Sequence, residues 1–343
     1  MACPPKAWGR LILNLLFMKN TRFTLFLLLL LLAPHWVYAA PSCIVVSGHP
    51  GDAAFGAAIE ASSHTWQEAA KKAGYGSKLV SSLASEGEAS QLERLRAELA
   101  AVETPSQDPL WLVFTGHGNA QGNVPRFALM GADLGADELA ALLAKIKRPM
   151  VLVLGFSCSG AFVKPLAASN RQIIAATRSG EEENWTRFAK FFAEAISGLK
   201  ADLDGDGQVS VFEAWISAVD AVEGFYKDAG RLVTEHSVLE DSGLGKPEGR
   251  AAFNRFGEYL GKKADSSAAP GVRARDAFFM ASPIEALLTE EERVRRSRLE
   301  GELARLKSEK AGMGEEEYRK ALEAIFVGLA GVYEGARKRL PSE

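Results

Sequence analysis

Asp202, Asp204 and Asp206 stand at alternate places in a twelve-residue stretch that closes on Glu213. Short carboxylates at positions one, three and five, with a glutamate at twelve, match the ligand spacing of an EF-hand calcium loop. Gln208 offers a carbonyl at seven, Ser210 can hold a water at nine, Gly207 permits the sharp turn, and Val209 is the apolar residue expected at eight. One Ca2+ is therefore expected on Asp202, Asp204, Asp206, Gln208 and Glu213. A metal-free acidic turn would not need every one of these places filled. Helical patterns flank the loop at 185–199 and 211–226. Residues 236–249 are acidic and glycine-rich but lack the spacing, so the loop at 202–213 stands alone and its ion is expected to be structural.

A second group is Cys158, in Val151-Leu152-Val153-Leu154-Gly155-Phe156-Ser157-Cys158-Ser159-Gly160, and His117, in Trp111-Leu112-Val113-Phe114-Thr115-Gly116-His117-Gly118. Each follows an apolar run. Taken singly, a free cysteine is most often a small buried hydrophobe and such a histidine a loop residue. Taken together, a thiol and an imidazole at matching strand ends point to nucleophilic catalysis, the imidazole lowering the thiol pKa or carrying protons. The thiol is expected at a cleft mouth, exposed, with Gly118 and Gly160 letting backbone approach a substrate.

Strand and helix patterns that alternate must position both groups. Strands are expected at 43–47, 78–82, 110–115, 150–156 and 171–177. Helices are expected at 54–72, 90–102, 136–146 and from 182 to about 200. Apolar strands, each followed by a helix, imply an α/β fold, a mostly parallel sheet with helices on both faces. Such sheets carry their sites at the carboxyl ends of strands. Cys43 at a strand start and Cys158 at a strand end would then lie at opposite edges, too far apart for a disulfide.

An apolar strand ending in His-Gly, followed by one ending in Cys, resembles the caspase-fold (clan CD) cysteine peptidases. The tail Cys158-Ser159-Gly160-Ala161-Phe162 resembles the legumain-like branch, and the whole resembles exported bacterial relatives of that family. The resemblance covers roughly 43–281. It implies a caspase-like sheet and a cysteine endopeptidase acting on a peptide or protein. Cys158 would be nucleophile and His117 general acid, with the Gly118 and Cys158 amides as oxyanion hole. The asparagine that legumains carry after the first strand is absent: here the residues are Ser47-Gly48-His49-Pro50. The alternative is an inactive caspase-like, calcium-binding interaction protein.

A rival nucleophile is Ser157, in a near match to Gly-x-Ser-x-Gly with His236 downstream. His49, Asp52, Arg178 and the run Glu181-Glu182-Glu183 are candidate specificity residues. The glutamates also suit the first turn of a helix, which favours negative charge.

The leucine-rich run after Arg22, ending in Val37-Tyr38-Ala39-Ala40, reads as a signal peptide over 1–40, with 1–17 an upstream extension before Met18. Its apolar run is shorter than a bilayer span, so the mature chain is expected to be exported, periplasmic or extracellular, without a membrane span. Losing 1–40 removes four basic residues and no acid, leaving a formal charge of −7. That excess of acid argues against nucleic-acid binding.

The caspase-like α/β part is expected over 41–281 and a helical hairpin over 282–343. Thr289 and Glu292 form a capping box. Leucines recur at helical spacing to residue 306, and Tyr318, Leu322, Ile325, Leu329 and Val332 make a second stripe. The hairpin buries its own stripes, self-associates or binds a protein partner.

Overall fold

Val45, Val113, Val153 and Ile174 point to one side of a sheet, while Val46, Phe114, Leu154 and Ile173 point to the other. Both sides are buried, which explains why these strands read as unbroken apolar runs. The computed structural model describes residues 42–83, 89–106, 108–254, 257–261, 270–280, 282 and 284–340. The leader expected at 1–40 lies outside them.

The strands are β1 (Ser42–Ser47), β2 (Gly76–Val80), β3 (Leu110–Gly116), β7 (Met150–Phe156), β8 (Arg171–Ala175), β9 (Val238–Glu240) and β10 (Glu248–Gly249). They form a seven-stranded sheet in the order β10-β9-β8-β7-β3-β1-β2. The pairings from β8 to β2 are parallel, and β9 and β10 are antiparallel. This is the expected α/β class. A small antiparallel ribbon, β4 (Gly118–Asn119), β5 (Arg126–Phe127) and β6 (Leu134–Gly135), grows out of the end of β3.

Helices α1 (Ala53–Lys72), α5 (Phe188–Ile196) and α6 (Val211–Asp228) cover one face through Trp66, Phe192 and Trp215. Helices α2 (Gln91–Ala101), α3 (Ala136–Leu143) and α4 (Gly160–Leu166) cover the other through Leu95, Leu139 and Phe162. A one-turn helix α7 (Val272–Arg275) leads to Phe279, which wedges between Trp66, Trp111 and Tyr75.

Helix α8 (Glu290–Glu309) starts at the expected capping box on Thr289, and α9 (Glu315–Arg337) returns beside it. Leu299, Leu306, Ile325 and Val332 form their shared core, with Ile284, Leu287 and Leu303 packed against it. Among the described residues no helix is long and apolar enough to cross a membrane.

One expected helix starts elsewhere. The pattern from 182 suggested a helix beginning at the glutamate run, yet α5 begins at Phe188. Its free amides at Arg187 and Phe188 are taken by the buried Glu235 carboxylate, at 2.9–3.0 Å. Residues 181–186 are thereby freed to run as a loop across the carboxyl edge of the sheet.

Candidate functional site

The register brings the two chemical strand ends together. Gly116 of β3 pairs with Phe156 of β7, so His117 and Ser157 follow side by side at one edge, with Cys158 next. A Cβ on Gly118 would lie 2.3 Å from the Ser157 carbonyl oxygen. Glycine is needed there for the chain's own strand ends to meet, not for a substrate to approach. Gly160 is similar: a Cβ would lie 2.2 Å from the Arg178 carbonyl carbon.

Cys158 sits between β7 and α4 with φ +62°, the single non-glycine residue with positive φ among those described. The left-handed region is costly for a side chain with a Cβ, so surrounding structure must impose it. Ser159 and Thr177 do so. The Thr177 amide donates to Ser159 Oγ at 3.1 Å, and the Gly160 amide to Thr177 Oγ1 at 3.0 Å. These bonds fasten the turn to the end of β8.

The thiol is not at an open mouth as expected. Cys158 is 0% exposed. Its amide, expected in an oxyanion hole, donates to the Glu182 carbonyl at 2.9 Å. Burial, then Glu183 and Glu182, push the thiol pKa up to about 11. The charged groups that bear on the thiol in this state are these two carboxylates, and both disfavour the thiolate. Cys43 is wholly buried on β1, and burial takes its thiol to about 12. Both cysteines are free, as the opposite-edge argument required.

What orients His117 was not legible in the sequence. Its Nε2 lies 3.2 Å from the Pro50 carbonyl. A carbonyl only accepts, so Nε2 carries the proton and Nδ1 is the free base of the neutral ring. Phe55 and Trp185 flank the ring with centroids at 4.8 and 4.9 Å. Burial lowers the His117 pKa, against the opposing effect of the Pro50 bond. Phe55 comes from α1 and Trp185 from the closing loop, so neither was near His117 in sequence.

Glu182 latches that loop. Its Oε2 accepts the Arg178 and His236 amides at 3.0 and 3.1 Å. Its Oε1 lies 3.1 Å from Arg178 Nε and 2.6 Å from His236 Nδ1. The glutamate run is thus a tether rather than a helix terminus, and Arg178 belongs to it. Asp52 caps α1 by accepting the Ala54 amide at 2.7 Å. His49 Nδ1 accepts the Gly51 amide. The rival pair is not assembled: Glu182 holds His236 through Nδ1, as a triad acid would, but the buried Ser157 Oγ has no hydrogen-bond partner and so is not bonded to that imidazole. Beside the loop lies a cavity of about 290 Å³ with a mixed lining: Phe188, Val219, Val222 and Val238 supply apolar wall, and Arg178, Glu223, Glu235, His236 and Arg250 supply charged or titratable groups.

Ala128 donates to His117 O, which makes Gly118 and Phe127 a non-hydrogen-bonded pair. The Gly118 amide therefore points away from that ribbon.

At the acidic loop, the carboxylates of Asp202, Asp204 and Asp206 converge within 4.8 Å of one another. Burial raises the pKa of Asp204, with Glu213 next; burial raises Asp206, with Asp204 next. Like charges pressed together in this way suit a cation. Glu213 reaches back over the loop, where its Oε1 accepts the Leu203 and Asp204 amides at 2.9 and 3.2 Å.

One expected role changes and another stands. Ser210 is the N-cap of α6, in a capping box with Glu213, rather than a water holder. The Gln208 side chain is buried, donates to Asp206 and accepts the Ser282 amide at 3.0 Å, leaving its backbone carbonyl as the candidate ligand. Among the described residues no second acidic cluster pairs with the loop, but a strand-like contact does: Ser210 bridges to Phe278, and the Val211 amide donates to Ala277 O at 2.7 Å.

No protein-family model and no curated protein matches the chain. Among solved structures it is similar to the protein GSU0716 from Geobacter sulfurreducens, at 15% identity over 53% of this chain and 89% of that one, with a TM-score of 0.38. It is also similar to the Drosophila initiator caspase Dronc, at 13% identity over 60% of this chain and 81% of that one, with a TM-score of 0.39. Scores this low say nothing about site or substrate.

Proposed function

We propose that the chain is an exported cysteine endopeptidase whose site is held closed in the state described, with one structural calcium ion. The observation that carries this reading is the positive φ of Cys158 at the end of β7, beside His117 at the end of β3. Backbone strain of that kind gathers where a side chain must be presented for chemistry. In the reaction, the 178–186 loop first moves off. His117 Nδ1 takes the thiol proton, the sulfur attacks a peptide carbonyl, and the Gly118 amide and the released Cys158 amide hold the oxyanion. The imidazolium then protonates the leaving amine, and water hydrolyses the thioester.

The convergence of Asp202, Asp204 and Asp206 supports Ca2+ there; the Gln208 carbonyl would add to the set, and Glu213 would join it by releasing the Leu203, Asp204 and Ser210 amides that its two oxygens accept. The ion would supply charge neutralisation and rigidity, not chemistry. It would fix the junction of α5 and α6, and α5 begins where the closing loop ends.

A peptide library presented to the Ala40–Glu343 unit carrying Glu182→Ala, with calcium, tests the reading. Cleavage should vanish with Cys158→Ala and fall about 10²–10⁴-fold with His117→Ala, the range for lost acid–base catalysis. Cleavage that survives Cys158→Ala overturns it. A second reading, a non-catalytic calcium-binding protein, is favoured by the complete burial of Cys158 and the use of its amide by Glu182. It predicts no cleavage in any loop variant.

A further inference from the structure

The hairpin buries one stripe of α9 and leaves the opposite face bare. Phe326 is 50% exposed and Val327 67%, at the midpoint of a helix running from Glu315 to Arg337. Phe326 is the only phenylalanine among the large exposed apolar side chains of the described residues. Ala330 and Gly331, one turn on, are also exposed, and nothing lies within 4 Å of where a Gly331 side chain would begin. Residues three and four apart share a helix face, so Glu316, Arg319, Glu323, Phe326, Ala330, Glu334 and Arg337 lie along one surface with Val327 at its border.

We propose that this face pairs with the same face of a second copy, antiparallel across a two-fold axis passing between Phe326 and Val327. The charges fit that operator. With the axis there, Phe326 of one copy meets Val327 of the other, and Glu323 meets Ala330. Further out, Arg319 meets Glu334, Glu316 meets Arg337, and Glu315 meets Lys338. Every charged pair set face to face is of opposite sign, and by symmetry each occurs twice. Within one copy these side chains already make exposed pairs, Arg319 with Glu316 at 2.8 Å and Lys338 with Glu334 at 3.1 Å. Pairing would join them into continuous networks around a desolvated centre.

The small residues Ala330 and Gly331 let the two helices approach closely. Twenty-three residues at ~1.5 Å each make α9 about 34 Å long. Two such helices bury on the order of 1,000 Å² in total, the lower end for a specific interface, so the dimer should be reversible.

Sedimentation velocity of the Ala40–Glu343 unit, which is compact by itself, tests this across micromolar concentrations. A monomer–dimer equilibrium is expected. Arg319→Glu sets Glu against Glu334 twice and should weaken association roughly tenfold. Adding Glu334→Arg to the same chain restores opposite signs in this register only, and should recover the dimer. Phe326→Asp should leave a monomer with unchanged helix content by circular dichroism. The proposal is overturned by a monomer throughout, by a dimer that survives Phe326→Asp, or by a charge-swapped double variant that stays weakened.

Discussion

Glu182→Ala should open the closing loop and expose Cys158. Four contacts to the Glu182 carboxylate are lost. Two are amide donors, Arg178 and His236, at 3.0 and 3.1 Å. Each contributes about 1 kcal/mol net. The other two are side-chain pairs with Arg178 and His236, whose side chains are 64% and 44% exposed. Solvent screening reduces these to ~0–1 kcal/mol together. The latch therefore contributes about 2–3 kcal/mol, and its loss should raise the open population roughly 30- to 140-fold. Alkylation by iodoacetamide reads this directly, because a thiol that is 0% exposed reacts only from the open form. Cys43 serves as the internal control, since it is buried on β1 and reports global opening alone. The expected result is a rise of roughly 30- to 140-fold at Cys158 with Cys43 unchanged. A change of less than twofold at Cys158 would refute the latch. A parallel rise at Cys43 would mean that the substitution unfolds the sheet.

Further expectations follow from the same geometry. Alkylation of Cys158 from the open form should rise about tenfold per pH unit below the ordinary thiol range, because the thiolate is the nucleophile and is disfavoured by burial, Glu183 and Glu182 while the loop is closed; a rate flat from pH 6 to 8 contradicts this. Ser157→Ala should leave stability equal or slightly higher in urea melts, because it removes a buried hydroxyl that has no partner. If it abolishes cleavage while Cys158→Ala does not, Ser157 is the nucleophile. Calcium should raise the melting temperature as its concentration passes about 10⁻⁴–10⁻³ M, the range of extracellular modules, and Glu213→Gln should remove most of that response. A calcium response unchanged in Glu213→Gln excludes this loop as the site. Burial raises the Glu300 carboxyl to about 7 in the hairpin. The folded chain then holds a proton that the unfolded chain has released. Stability from this group is full below the ordinary carboxyl range and is lost as pH rises to about 7. Urea melts that show Glu300→Gln removing none of the difference between pH 5 and 8 would contradict it.

The sequence by itself determined the sheet and the identity of the chemical groups. Residues 110–115 and 150–156 are buried on both faces, so they had to be written as continuous apolar runs, and such runs are legible without coordinates. The acidic loop was legible for a related reason: ligand spacing within twelve residues is local, and Asp202, Asp204 and Asp206 do converge. Capping boxes at Ser90, Ser210 and Thr289 are likewise local. Ser210 shows the limit of local reading, because Ser-x-x-Glu fits both a calcium loop's ninth and twelfth places and a helix cap. Only the tertiary structure decided whether Cys158 and His117 are open to solvent. That depends on Pro50, Phe55 and Trp185 around His117, and on Glu182 reaching Cys158 and His236. These contacts join residues tens of positions apart, and no periodicity records them. The glutamate run shows why. By pattern it is a helix start, but Glu235 caps α5 further on, and Glu182 is left to close the site. Which amide receives which oxygen is a choice made between distant segments, so it follows from packing and not from composition or spacing.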